Sequence, residues 1–332
     1  MTGREAEIAA FLSGTPWQSW NRQQLAGDAS MRRYERLYGP NGKSAVLMDA
    51  PVDCNGPLDA YLNVTNILQA RAVSVPKVLH QDPDAGFLLL EDLGDALFAT
   101  VITETPVQEG PLYEAATDLL VTLHQQSCPD LPHLTPPVLT EMTSLAFTEY
   151  HQAIFGDEAG DLRISFEQKF ETILHEAIEG DMGFVHRDFH AQNLMWLPNR
   201  AGSARVGVID FQDACCGHPT YDLVSLLQDA RRDVPAEIEQ QMITRYLLAT
   251  GRDSARFRTA YSLIGVQRNM RILGIFARLA RKMGKPQYLG LLPRVWGHFT
   301  RGLTHPALAP IADDLRAALP APTADVLRKL TP

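Results

Sequence analysis

The spacing of apolar and polar positions changes character twice along the 332 residues. The opening MTGREAEIAAFLSG places its apolar residues at helical intervals, and Thr2 with Glu5 fits a capping box. Residues 21–51 read as strands: RRYERLY alternates in part, GPNGK signals a hairpin turn, and SAVLMDAP is an apolar strand stopped by Pro51. A helix is expected over PLDAYLNVTNILQAR, followed by two strands in VPKVLHQDPDAGFLLLEDLG joined at DPDAG. Strands, one helix and strands again make a small α+β lobe, residues 1–93. From Gly94 helical periodicity takes over, in YEAATDLLVTLHQQ and over 138–155, 161–179, 236–250, 254–282 and 286–301. A short β insert interrupts it, NLMWL and VGVIDF with the turn PNRAGS, so residues 94–332 read as a larger, mainly helical lobe.

Composition narrows the functional classes. A hydrophobic share of 45% and a charged share of 21% are those of a globular chain. The net charge of −9 argues against nucleic-acid binding, which needs basic surface. No run of 18 apolar residues suggests a membrane span, and the start lacks a basic stretch before an apolar core. The cysteines, Cys54, Cys128, Cys215 and Cys216, form no CxxC, so reduced thiols and a cytoplasmic location are expected. Protein partners are not legible.

The chemistry concentrates in HRDFHAQN, residues 186–193, and in the Asp that ends VGVID, 22 positions beyond Asp188. Phosphoryl transfer from ATP needs Mg²⁺ on the phosphates and a carboxylate that orients the attacking hydroxyl. Mg²⁺ takes oxygen ligands from one or two side chains plus phosphate and water. Asp188 and Asn193 share one loop, and Asp210 ends a buried strand, so Asp188 can face substrate while Asn193 and Asp210 face metal.

These residues resemble the aminoglycoside phosphotransferase and choline kinase branch of the protein-kinase-like fold. The resemblance implies a bilobal α+β fold with a small antiparallel-sheet lobe, ATP and Mg²⁺ as cofactors, Asp188 as catalytic base, and Asn193 and Asp210 as metal ligands. It makes His186 a support of the loop. His190 is local packing or substrate-side lining. Asp222 in PTYDL either braces the loop or is a first-turn acid of its helix. The strand where the kinase lysine belongs, SAVLMDAP, has none. Ser30 in AGDASMRRY could cradle a phosphate, and Arg33, Arg32 or Lys43 could replace the lysine; binding without turnover, as in a pseudokinase, is the other option. Adenine is expected on the backbone of Glu91 to Leu93.

Several stretches, GDASMRRYERL, GFLLLEDLGD, IDFQDA and GIFARLARKMGKPQYLGLLPRV, are similar to bacterial cell-wall sugar kinases. That group phosphorylates N-acetylmuramate and N-acetylglucosamine at the anomeric hydroxyl in peptidoglycan recycling, and its third strand also lacks the lysine. An arginine fork suits the lactyl carboxylate, and Arg268 and Arg271, three apart on one helix, are candidates beside Asp213. Both arginines could equally belong to that helix's solvated face. An aminoglycoside or another hydroxyl-bearing acceptor is the alternative substrate.

Overall fold

A computed structural model describes residues 3–25, 32–56, 58–178 and 180–331. Among these the strands are β1 (Asn21–Gln24), β2 (Arg33–Tyr38), β3 (Ser44–Asp49), β4 (Val78–Asp82), β5 (Phe87–Glu91), β6 (Gly183–Val185), β7 (Leu194–Trp196), β8 (Val206–Val208) and β9 (Cys215–Gly217). The chain forms two compact units, one of residues 1–115 with 192–213, the other of 116–191 with 214–332.

In the first unit β1 to β5 form an antiparallel sheet in the order β1-β2-β3-β5-β4. Period-2 alternation sends Leu37, Ala45, Leu47, Phe87 and Leu89 to one face, which Ile8, Phe11 and Leu12 of the helix Gly3–Leu12 cover. Arg4 ties that helix to the sheet: its guanidinium lies 3.9 Å above the Phe87 ring and donates to Asp49 and to the Ala85 carbonyl. The β4–β5 turn requires Gly86, whose φ is +76° and where a Cβ would lie 2.3 Å from the Ala50 oxygen.

The expected division after residue 93 differs from these units. The β7–β8 hairpin groups with the sheet-bearing unit, as do residues 94–115. The reason is backbone pairing: the Trp196 amide donates to the Ala96 carbonyl (2.7 Å) and the Val208 amide to the Ser74 carbonyl (2.8 Å). Arg200 in the hairpin turn also bonds Glu91 at 2.9 Å. Sequence distance hid all three contacts.

In the second unit β6 pairs antiparallel with β9, and the 30-residue helix Ser254–Met283 packs against the helices Thr220–Leu227 and Leu292–Gly302. This long helix is buried around most of its circumference, which admits Gln267, Arg268 and Asn269 to the interior. Gly274 lets it approach Leu145, whose carbonyl would lie 2.3 Å from any Cβ there. The stretch expected as one helix over 138–155 is divided into Pro136–Met142, a wide turn over Ala146–His151 and Gln152–Phe155. Cys128 and Cys216 are disulfide-bonded with Cα atoms 6.0 Å apart, against the expectation of reduced thiols, while Cys215 is free and buried. Residues 132–134 lie along β9 through a bridge between His133 and Cys216, and that brings the pair together. None of the described helices is long and apolar enough to cross a membrane.

His124 sits inside this unit as a neutral ring, its Nε2 donating to the Phe184 carbonyl (3.0 Å) and its Nδ1 accepting from the Tyr246 hydroxyl (2.8 Å). Burial pushes its pKa down to about 3. The unfolded chain therefore takes up this proton near the ordinary histidine value, and the folded chain does not. The stability this ring contributes is complete above pH ~6.5 and is lost as pH falls towards 3. Urea unfolding at pH 7.5 and 5.0 should show a smaller loss of stability in His124→Gln than in wild type, by about 1–2 kcal/mol. Equal losses in the two proteins would remove His124 from the acid response.

Candidate active site

Strand β6 is wholly apolar and buried, and the chain turns polar immediately after it. The His186 and Arg187 amides both donate to the Asp222 carboxylate, at 2.6 and 3.0 Å. Asp222 lies in the first turn of the helix Thr220–Leu227 and is fully buried. Burial pushes its carboxyl up to about 7, against the pull of the two amides and of Arg268. To reach it, Arg187 adopts φ +78°, a left-handed conformation that costs a non-glycine residue on the order of 1 kcal/mol or more. The His186 ring, also buried, accepts the Asp188 amide on Nδ1 at 3.2 Å and meets the Phe189 ring edge-on. A second tie comes from the long helix: Arg268 Nη2 donates to Ser225 Oγ (2.7 Å), which lies 3.5 Å from the Arg187 carbonyl.

These contacts place Asp188 among cations. Burial alone would raise its carboxyl, but Arg268, with Arg271 beside it, holds it below the usual carboxylate value. An anionic carboxylate is a pure acceptor, able to take a hydrogen bond from a hydroxyl.

The other acidic corner belongs to the first unit. In the β7–β8 hairpin Leu194 faces Val208, so Asn193 and Asp210 come together at its open end, where the Ile209 amide donates to the Asn193 carbonyl (3.1 Å). Asp210 is exposed, has φ +60°, and accepts Gln212 Nε2 on Oδ1 at 2.9 Å. An amide oxygen and a carboxylate are hard donors that fit Mg²⁺. Among the described residues no three His, Cys, Asp or Glu gather as a metal cluster, so protein ligation would be limited to such a pair, completed by phosphate and water. Arg32 hydrogen-bonds Tyr34, and both Tyr34 and Tyr61 respond to the charges of Arg32 and Asp210. Arg32 is therefore a cation on the Asp210 side of this unit.

Residues 21–258 match the model of the phosphotransferase enzyme family. The chain belongs to that family. It is 39% identical to an N-acetylmuramate/N-acetylglucosamine kinase of Caulobacter vibrioides, over 92% of this chain and 94% of that one. A protein of the same name from Pseudomonas aeruginosa is 33% identical over 89% and 87%. Among solved structures, choline kinase LicA from Streptococcus pneumoniae superposes with a TM-score of 0.62 at 14% identity, covering 92% of this chain and 99% of that one. The aminoglycoside phosphotransferase APH(2'')-Ib gives 0.61 at 16%, covering 90% and 99%. The fold is thus protein-kinase-like.

The structure places the remaining residues singled out in the sequence as follows. Ser30 lies outside the described residues. Arg33, expected on the phosphates, is exposed on β2 opposite Asp49, because strand alternation turns it away from the half-buried Tyr34 and the buried Tyr61. The Glu91 amide is not available to adenine, since it donates to the Lys77 carbonyl at 2.8 Å. Leu93 packs towards Gly207 of β8, where a Cβ would come within 3.2 Å of its Cδ1. Asp213 is exposed in the turn after Asp210. Arg268 is not on a solvated face; it is buried beside Ser225, and Arg271 is half-buried and also acts on Asp188. Sequence reasoning passed over Ser225, Asp229 and Arg231. The only available signal was that a charged stretch, QDARRD, directly follows a helix whose every residue is buried.

Removing the Asp222 carboxylate leaves two loop amides unpaired, so Asp222→Ala should lower kcat by roughly 10²-fold with less than about threefold change in ATP KM. A variant that folds normally and keeps wild-type kcat would show that the loop holds its shape without this brace. For the cation, Arg32→Ala should raise ATP KM about tenfold, the scale of one charge-assisted hydrogen bond, and Arg33→Ala should change it by no more than about twofold. The reverse ranking would return the role to Arg33.

Proposed function

We propose that this phosphotransferase transfers the γ-phosphoryl group of ATP to the anomeric hydroxyl of N-acetylmuramate, N-acetylglucosamine or both, in the cytoplasm and in the service of peptidoglycan recycling. The observation that carries the substrate is the 39% identity, over nearly the full length of both chains, to a curated kinase of that name. The geometry supports the reaction type. Asp188 is held anionic and rigid, and it accepts the hydrogen bond of the attacking hydroxyl and aims its lone pair at phosphorus. Because the transition state for such transfers is loose, orientation and charge neutralisation supply most of the rate. Asn193 and Asp210 would hold Mg²⁺, which supplies neutralisation of the phosphate oxygens.

The arginines near Asp188 favour this acceptor over a polycationic aminoglycoside. Arg268 and Arg271 set a positive potential at the carboxylate, which suits the lactyl group of N-acetylmuramate and opposes ammonium groups.

³¹P NMR of the protein with Mg-ATP and each amino sugar tests the reading directly. A new resonance coupled to a single anomeric proton is expected, and none with an aminoglycoside. ATP binding without a new resonance from any acceptor would instead indicate a nucleotide-binding protein without turnover. Asp188→Asn should lower kcat by about 10²–10⁴-fold with ATP affinity nearly unchanged; near-normal turnover in that variant would dismiss Asp188 as the base.

A further inference from the structure

In the second unit two buried polar atoms, one of them two positions after Asp188, have no hydrogen-bond partner. One is Nδ1 of His190, whose side chain is 5% exposed; the other is Oδ2 of Asp229, 2% exposed. They are linked through Arg231. Its Nη1 meets His190 Nε2 at 3.2 Å, and its amide donates to Asp229 Oδ1 at 2.8 Å. A guanidinium has no acceptor, so His190 Nε2 must accept, which places the ring proton on Nδ1. The pair thus consists of one donor, the Nδ1–H of His190, and one acceptor, the Oδ2 of Asp229.

Their setting is the reacting carboxylate. The His190 amide donates to the Asp188 carbonyl at 3.1 Å, and Arg268 acts on Asp188, His190 and Asp229 alike. Leaving such atoms unpaired inside a protein costs roughly 1–3 kcal/mol each, and folded chains rarely tolerate it without a purpose. The turn after the helix Thr220–Leu227 uses Asp229 Oδ1, and the charges of Arg231, Arg268 and Arg232 act on the same carboxylate.

Resting on the kinase reading above, we propose that His190 and Asp229 recognise the acetamido group of the acceptor sugar. His190 Nδ1–H donates to its carbonyl, and Asp229 Oδ2 accepts from its N–H. In both proposed acceptors this group sits on the carbon next to the anomeric centre, so a sugar whose anomeric hydroxyl meets Asp188 brings it within a few ångströms. A 2-hydroxyl could satisfy one partner or the other; an amide, with donor and acceptor on different atoms, satisfies both. The pair is therefore a specificity device, distinct from the arginines that would meet a lactyl carboxylate.

The test compares kcat/KM for N-acetylglucosamine and for glucose. Wild type should prefer N-acetylglucosamine by at least about 10²-fold, the discrimination that unpaired buried groups impose on an analogue lacking the matching bonds. Asp229→Asn keeps an oxygen for the Arg231 amide but presents a donor where the acceptor stood, so the preference should fall about tenfold or more. His190→Leu should lower it similarly, and His190→Asn, which restores a donor near the Nδ1 position, should recover part of it. Equal kcat/KM for the two sugars in wild type, a measurement that needs no variant, overturns the assignment while the kinase reading survives. So does an unchanged preference in folded Asp229→Asn and His190→Leu. If wild type phosphorylates no amino sugar, the kinase reading fails and this assignment fails with it.

Discussion

The Asp222 carboxylate, with the His186 and Arg187 amides pointed into it, is the constraint on which the catalytic loop depends. A loop residue cannot be held rigid by its own hydrogen bonds, since loops lack the ladder of a helix or sheet. Here the rigidity is borrowed from the helix Thr220–Leu227, whose first turn lies within the buried interior. One carboxylate takes two consecutive amides, which fixes the path of the chain at Arg187 and so the direction in which Asp188 leaves it. The left-handed φ of Arg187 persists because its surroundings over-determine it: Asp222 from one side and Ser225 from the other.

The same burial raises an electrostatic problem that Arg268 answers. Asp188, Asp222 and Asp229 are three acids in a poorly hydrated region, and without a cation burial would protonate them. One buried guanidinium acts on all three, yet the outcome differs from residue to residue. Asp222, fully enclosed, stays above the ordinary carboxylate value despite its two amide donors. Asp188 has Arg271 in addition and falls below it. Burial thus holds the carboxyl that braces backbone above its ordinary value, while the arginines hold the carboxyl that faces the hydroxyl below it. A surplus of acid over the whole chain is thus compatible with a cationic neighbourhood at the reacting group.

Much of this was legible in the sequence where the information is local. HRDFHAQN and VGVID could be read because the loop and hairpin chemistry depends on residues a few positions apart. The sheet strands followed from period-2 alternation, and the family resemblance rested on those same short stretches. What escaped depended on contacts over long separations. Whether Arg268 served the substrate or a solvated helix face stayed open, because helical periodicity assumes one buried stripe, whereas Ser254–Met283 is enclosed on most sides. Arg33 looked as good as Arg32 for the missing lysine, since only the strand's register shows which of two adjacent arginines shares a side with Tyr34, Tyr61 and Asp210. The grouping of the β7–β8 hairpin with the sheet, and the joining of Cys128 to Cys216 across 88 positions, needed the fold itself.

Backbone strain connects the two acidic corners. Arg187 and Asp210 are both non-glycine residues with positive φ, at +78° and +60°. A glycine at either position would relieve the conformation but would remove a side chain. At Asp210 the carboxylate itself is needed, so the strain is borne by the functional residue. At Arg187 the residue before the base is strained so that the base is not, since its twist sends both neighbouring amides to Asp222 and leaves Asp188 to the hydroxyl. Strain of this kind is stable only where several independent contacts agree on it, and that agreement separates a built site from a pair of polar turns.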